Sequence, residues 1–232
     1  MVILSHRRVD AIVFDLDATL INLGGFVDWK KANEEIVQDY LKNDCNPSLI
    51  KECSAEGLFN MLDQIYQRLK DTKGAEKAEE IQDSVYDILG KYERIGVDSC
   101  TLMDGCTDIL GWLKDIDIPL GICTSNSPRS AEAALKMQGI REYFKIVVGR
   151  TVGVPMKPDP AQLRICFDGL HVDPNNGVMV GDSHKDIIAG KKLGAYTVGI
   201  PVYFTKLELM KEAGVDIIID DLSELKLVIE SL

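Results

Sequence analysis

Residues 12–20 read I-V-F-D-L-D-A-T-L, an apolar run that ends in two carboxylates. Such a short apolar run is typical of a strand buried on both faces of a parallel sheet. Ligands of these sheets bind beyond the carboxyl ends of the strands, where Asp15 and Asp17 follow. Two carboxylates so close repel each other, so one must hold a proton or a cation must neutralise the pair. The stretch therefore predicts a buried parallel strand with a charged site at its end.

Apolar runs and segments of helical spacing alternate from Gly105 to the end of the chain. The sequence predicts strands near residues 118–123, 145–148, 177–182, 195–200 and 216–219. Strands that alternate with helices indicate a parallel sheet with helices on both faces. The predicted fold class is therefore α/β, with a Rossmann-like parallel sheet.

A different pattern occupies residues 29–92, where apolar residues recur at helical spacing. The pattern breaks near Asn46-Pro47 and near Thr72-Lys73-Gly74. We interpret this segment as a helical insertion with a small core of its own. The predicted division is residues 1–20 with 101–232 as the α/β core, and residues 21–100 as the helical domain.

The overall charge limits the class of ligand. The 232 residues carry a formal net charge of −11, which argues against nucleic acid or an anionic membrane as a partner. No apolar run approaches the ~20 residues of a membrane span. The six cysteines form no C-x-x-C pair, which favours reduced thiols and a cytoplasmic protein. A phosphate-bearing ligand would need a local positive site in this chain.

Polar groups stand at the predicted strand ends or in neighbouring loops at four places. They are Asp15 with Asp17, residues 124–126, Lys157, and Asp182 with Asp186. Each pattern alone is common in turns. Because strand ends of a parallel sheet meet at one edge, the four together predict a single site.

In these four places the sequence resembles the haloacid dehalogenase superfamily of aspartate-nucleophile phosphohydrolases. The D-x-D-x-T motif of that family matches Asp15 to Thr19, and its apolar strand ending in Thr or Ser matches Gly121 to Thr124. Its lysine matches Lys157, and its G-D-x-x-x-D motif matches residues 181–186. The insertion between the first two motifs resembles the helical cap of the family.

The resemblance implies roles for two carboxylates. Asp15 would attack phosphorus and form an aspartyl-phosphate, as carboxylate nucleophiles do. Asp17 would protonate the leaving oxygen and then accept a proton from the attacking water.

The resemblance also implies how the phosphoryl group is bound. Thr124 would donate a hydrogen bond to it, together with the backbone N–H groups of Ser125 and Asn126. Lys157 would act on it as a point charge.

The implied cofactor is Mg²⁺, a hard cation that prefers oxygen ligands. Asp15 and Asp182 would bind it through their side chains and Asp17 through its backbone carbonyl. Asp186 would bind it directly or through water.

Several residues depart from the family pattern or lie close to it. Ala18 stands where the family usually has glycine, and we expect little effect of this change. Asn22 replaces a common acidic residue, which leaves the hinge of the cap and the substrate preference open. We interpret Trp29 as cap core and His184 as an exposed turn residue.

The favoured function is a Mg²⁺-dependent phosphatase of a small phosphorylated metabolite, similar to phosphoglycolate phosphatases. A phosphomutase of the β-phosphoglucomutase type would use the same residues. A phospho-accepting signalling module is the alternative of another class. In such a module the acidic pair comes first and the acceptor lies on a later strand, and the module has no helical insertion, unlike this chain. The particular ester and the oligomeric state are left open.

Overall fold

The central sheet has six parallel strands, described here from a computed structural model of residues 8–202 and 204–232. The strands are β1 (Ala11–Phe14), β2 (Leu120–Cys123), β3 (Phe144–Val148), β4 (Gly177–Gly181), β5 (Tyr196–Gly199) and β6 (Ile217–Ile218). Their order in the sheet is β3-β2-β1-β4-β5-β6, and every pairing is parallel. The predicted α/β class is confirmed, and the strands are one to two residues shorter at several ends than the apolar runs indicate.

Ten α-helices are found in the described residues. They are α1 (Trp29–Lys42), α2 (Pro47–Cys53), α3 (Leu58–Lys73), α4 (Ala75–Val97), α5 (Cys106–Asp115), α6 (Pro128–Met137), α7 (Ala161–Leu170), α8 (His184–Leu193), α9 (Phe204–Glu212) and α10 (Leu225–Ser231). No helix in these residues is long and apolar enough to cross a membrane.

The sheet is covered on both faces because its side chains alternate and both sets are apolar. Ile12 and Phe14 of β1 join one buried cluster with residues of α5, α6 and α10. Ala11 and Val13 join a second cluster with residues of α7 and α8. This double burial is why β1 is apolar at every position.

Helices α1 to α4 form a helical subdomain around a third apolar cluster. The helices end at the predicted breaks: Asn46 caps α2 ahead of Pro47, and Gly74 separates α3 from α4 with a positive φ of 84°. The two connecting segments pair with each other, since Asn22 N–H donates to Thr101 O at 2.8 Å. The domain boundaries at residues 20 and 101 stay a prediction.

The strand order places β1 between β2 and β4, so the chain direction across the sheet reverses beside β1. Crevices form at such a switch point, outside the carboxyl ends of the strands. Asp15, Thr124 and Asp182 are the first residues after β1, β2 and β4. The topology therefore brings three of the predicted residues to one crevice.

Candidate active site

Three buried aspartates meet at the carboxyl ends of β1 and β4. Asp15, Asp182 and Asp186 each offer a carboxylate oxygen, and these oxygens lie within 4.8 Å of one another. The two strands are neighbours, and Asp15 N–H donates to Val180 O at 2.8 Å. Oxygen ligands so close together are a suitable set for a hard divalent cation.

Lys157 joins this cluster from the loop before α7. Its Nζ lies 2.7 Å from Asp15 Oδ1 and 2.6 Å from Asp186 Oδ1, and it donates to Cys123 O at 2.7 Å. These bonds use all three donors of the ammonium group. Burial alone would lower the pKa of Lys157, but Asp15 and Asp186 outweigh it and raise the pKa well above its ordinary value. Lys157 is therefore a fixed positive charge beside Asp15.

One lysine does not neutralise the aspartates of this cluster. Burial raises the pKa of Asp15 to about 8; Lys157 opposes this shift, while Asp186 and Asp182 add to it. Burial and Asp186 raise the pKa of Asp182 to about 6, against the effect of Lys206. A divalent cation among these oxygens would favour the ionised carboxylates. The residues present therefore fit a metal ion.

Asp186 is fixed through both of its carboxylate oxygens. Oδ1 accepts from Lys157, and Oδ2 accepts from Ser183 N–H at 3.1 Å in a capping box at the start of α8. A Cβ at Gly181 would lie 2.4 Å from Asp186 Cγ, so only glycine admits this approach. The spacing of the G-D-x-x-x-D motif thus has a steric cause.

Asp17 lies against the segment that leads to the helical subdomain. Gly24 N–H donates to Asp17 Oδ1 at 2.7 Å, and Trp29 Nε1 donates to Gly24 O at 2.9 Å. Burial raises the pKa of Asp17, opposed by the hydrogen bond from Gly24. A raised pKa suits a carboxyl that must carry a proton to a leaving group.

The backbone turns sharply at Ala18, directly after Asp17. Ala18 has a positive φ of 59°, in the left-handed region that favours glycine. A Cβ in this conformation is strained, and the expectation that alanine has little effect here stays a prediction.

The loop after β2 carries the predicted phosphate-binding residues. Thr124 Oγ1 donates to Asn126 Oδ1 at 3.0 Å and accepts from Asn126 N–H at 3.2 Å. Thr124 N–H donates to Val148 O at 2.9 Å, which ties the loop to β3. The Thr124 hydroxyl is thus held in a fixed position at the end of β2.

A cavity of about 770 Å³ lies over these groups, and all eight predicted site residues line it. The wall toward the helical subdomain contains Trp29 and Phe59, whose rings meet edge to face with centroids 5.8 Å apart. Trp29 also packs against the core of the subdomain, so its prediction as core was incomplete. The cavity is much larger than a phosphate ion needs.

Further basic residues line the cavity, and one of them, Lys206, was not singled out from the sequence. Lys206 of α9 forms an ion pair with Asp182. His184 is half-buried at the start of α8, not an exposed turn residue, and burial and Lys185 lower its pKa. Lys206 belongs to no motif and α9 was not predicted from the sequence, whereas His184 and Lys185 lie within the G-D-x-x-x-D motif.

The comparison with protein families agrees with this geometry. The family model of the haloacid dehalogenase-like hydrolases matches residues 12–200, and the chain belongs to this family. A putative pyrophosphatase PpaX of Clostridium perfringens is 28% identical over 228 residues, which is 97% of this chain and 99% of the relative. A phosphoglycolate phosphatase of Neisseria meningitidis is 28% identical over 207 residues, 89% of this chain and 86% of the relative.

Solved structures share the fold over nearly the whole chain. A β-phosphoglucomutase of Clostridium difficile has a TM-score of 0.68 at 20% identity, covering 96% of both chains. A predicted phosphoglycolate phosphatase of Haemophilus somnus has a TM-score of 0.64 at 20% identity, covering 95% of this chain and 97% of that one. The fold is thus shared by a phosphatase and a mutase.

Proposed function

We propose that this protein is a Mg²⁺-dependent phosphatase that hydrolyses a small phosphate ester through an aspartyl-phosphate on Asp15. One observation carries the proposal: Asp15 lies against Lys157 and beside Asp182 and Asp186, and all four residues line one cavity. The relatives named phosphoglycolate phosphatase and pyrophosphatase support phosphoryl chemistry.

Asp15, Asp182 and Asp186 would hold Mg²⁺ by their side chains, with Asp17 contributing its backbone carbonyl. The ion would neutralise charge on the phosphoryl oxygens and on the aspartates, the main requirement of phosphoryl transfer. The acidic cluster and the raised pKa of Asp15 support this assignment.

The reaction then needs two displacements at phosphorus. A carboxylate oxygen of Asp15 forms a bond to phosphorus while the ester P–O bond breaks, and the leaving oxygen takes a proton from Asp17. Water next attacks phosphorus and gives its proton to Asp17, and the bond between phosphorus and Asp15 breaks. Inorganic phosphate leaves and both carboxyl groups return to their starting states.

Lys157 and the loop after β2 would bind the phosphoryl group during both displacements. The Thr124 hydroxyl and the N–H groups of Ser125 and Asn126 would donate to its oxygens. Lys157 would stabilise negative charge from a fixed position, which such a buried ammonium does without reorganisation.

The cavity supports a substrate with a second anionic group. Lys185 and the half-buried His184 line the cavity in addition to Lys157. The substrates for which the relatives are named, phosphoglycolate and pyrophosphate, both carry such a group. The six buried, unpaired cysteines favour a reducing, cytoplasmic setting.

Phosphate release from a panel of esters, including phosphoglycolate, pyrophosphate and sugar phosphates, tests the proposal. We expect release in Mg²⁺, none with a chelator, and none from Asp15→Asn in Mg²⁺. Lys191→Met, which removes a surface ion pair with Asp216, is the matched control and should keep full activity. Full activity of Asp15→Asn would overturn the mechanism. No release from any ester would favour the phosphomutase, and conversion of a sugar phosphate to its isomer would identify it.

A further inference from the structure

A fully buried ion pair joins the helical subdomain to the α/β core. Arg150 Nη1, just after β3, lies 2.8 Å from Oε1 of Glu93 on α4. Both side chains are 0% exposed. The pair lies outside the cavity lining and has no part in the chemistry described above.

Stability alone is a poor explanation for this pair. Desolvation offsets most of the attraction in a buried ion pair, and apolar replacements are often as stable. The guanidinium is also incompletely satisfied, since Nε and Nη2 have no hydrogen-bond partner among the described residues. The ring of Tyr86, 4.9 Å from Arg150 Cζ, covers the group instead. A different role is needed to account for two buried charges.

The two charged side chains hold the loop after β2 at Ser125 and Ser127, and the backbone of Arg150 holds Asn126 between them. Arg150 Nη1 donates to Ser125 O at 2.6 Å, and Arg150 N–H donates to Asn126 O at 2.8 Å. Ser127 N–H donates to Glu93 Oε2 at 2.9 Å. The bonds to Ser125 and from Ser127 each involve an ionised group, and such bonds are stronger and shorter than neutral ones, so they fix the loop backbone.

We infer that Glu93 and Arg150 are positioning residues that hold residues 125–127 in the conformation that binds the phosphoryl group. The inference rests on the proposed function, because it takes this loop as the phosphate site. Glu93 belongs to α4, so the loop is held from the helical subdomain and from the core together. Neither residue contacts the substrate; both act through the loop backbone.

Direct binding of inorganic phosphate in Mg²⁺, measured by calorimetry, tests the inference. We expect Glu93→Gln to weaken phosphate binding about tenfold, because the loop loses charged hydrogen bonds, and to lower kcat/KM with it. Arg150→Lys keeps a charge beside Glu93 but loses the planar fork that reaches Ser125 O. It should weaken phosphate binding while retaining most of the thermal stability.

Val85→Ala is the matched control, since Val85 is buried on the same helix within the core of the subdomain. It should lower Tm and leave phosphate affinity within about twofold of wild type. Amide hydrogen exchange at Ser127 should accelerate in Glu93→Gln and not in Val85→Ala, a difference that general destabilisation does not produce.

Unchanged phosphate affinity in both Glu93→Gln and Arg150→Lys, with an active wild type, overturns the inference and leaves the proposed function standing. A wild type that binds phosphate but releases none from any ester defeats the phosphatase proposal, and the binding comparison still decides the positioning role. A wild type that neither turns over nor binds phosphate defeats both.

Discussion

Lys157 Nζ lies 2.7 Å from Asp15 Oδ1, although 142 residues separate the two in the chain. The contact forms because the loop before α7 reaches the carboxyl end of β1. It places a fixed cation on the proposed nucleophile, and the second bond to Asp186 makes the lysine a bridge between two aspartates. Replacement of Lys157 should therefore affect both catalysis and stability.

We expect Lys157→Met to lower kcat by about 10²–10³, the usual cost of removing a preorganised electrostatic group. Without metal, Tm should also fall, because removal of one partner of a buried ion pair costs about 3–5 kcal/mol. Steady-state kinetics and thermal unfolding in a chelator measure the two effects. Wild-type kcat in this variant would exclude Lys157 from the mechanism.

Replacement of Asp17 should separate the two displacements. In Asp17→Asn, 4-nitrophenyl phosphate can still transfer its phosphoryl group, because its leaving group needs no proton. Hydrolysis of the aspartyl-phosphate then lacks its base. Stopped-flow absorbance should show a burst of about one 4-nitrophenolate per enzyme followed by slow turnover. A linear trace at the wild-type rate would remove Asp17 as acid and base.

Trp29→Phe removes the hydrogen bond to Gly24 O and keeps an aromatic ring against Phe59. The backbone that holds Asp17 loosens, so kcat for an alkyl phosphate should fall about fivefold, the value of one net hydrogen bond. The effect on 4-nitrophenyl phosphate should be smaller, because that ester needs less help from an acid. Phe59→Leu keeps the bond to Gly24 and should lower both rates alike. Equal losses for both esters in Trp29→Phe would argue against this route to Asp17.

Ala18→Gly should stabilise the protein, because glycine adopts the φ of 59° without a Cβ clash. We expect a gain of about 0.5–1 kcal/mol in the free energy of unfolding, or roughly 1–4 °C in Tm. Ala133→Gly on the exposed face of α6 is the control and should cost about 1 kcal/mol. A lower Tm for Ala18→Gly would show that the left-handed turn is not strained.

Asp63 of α3 provides a pH-dependent contact between the subdomain and the loop that carries Lys157. Its Oδ2 accepts from Met156 N–H at 3.0 Å. Burial raises the pKa of Asp63 from 3.8 to about 6, against the effect of this bond. The folded state therefore keeps a proton that the unfolded state has already lost, so the carboxyl destabilises the fold as pH rises from about 4 to 6.

Asp63→Asn should remove that destabilisation while its amide oxygen still accepts from Met156. Relative to wild type in Mg²⁺, the free energy of unfolding of the variant should rise by about 1–2 kcal/mol between pH 4 and 7. This value is smaller than the full pKa shift would give, because the carboxyl is partly exposed and water screens its charge. Denaturant unfolding at each pH measures the difference. For Asp173→Asn, the free energy of unfolding relative to wild type should fall as pH rises, because hydrogen bonds from Asn175 lower the pKa of Asp173. If the difference in free energy of unfolding between Asp63→Asn and wild type did not change with pH, this result would contradict the raised pKa.

The sheet could be predicted from the sequence because its strands are buried on both faces and therefore appear as apolar runs. The strand at the lateral edge of the sheet and several of the shorter helices are less clearly indicated by the sequence. The run at residues 216–219 contains only a two-residue strand, Ile217–Ile218. Helices α2, α9 and α10 were not predicted. Of residues 206–212 in α9, only Met210 is fully buried. A helix with so little buried surface leaves no periodic pattern.

The site could be predicted where its residues directly follow a strand, since parallel strands bring such residues to one edge. Asp15, Thr124 and Asp182 are of this kind. The supporting contacts could not be predicted, because they join distant segments through single side chains. Glu93 and Arg150 are 57 residues apart and belong to no motif. The hydrogen bond of Trp29 depends on a turn whose geometry no spacing indicates.

The position of β1 in the middle of the sheet has a consequence for biosynthesis. β1 has neighbours on both sides, β2 and β4, that leave the ribosome more than a hundred residues later than β1. Such long-range pairing is slow to form, whereas the intervening helices fold through local contacts. The helical subdomain can thus fold while Asp15 still lacks the partners that make it reactive. During refolding, recovery of helical circular dichroism should precede recovery of any catalytic rate.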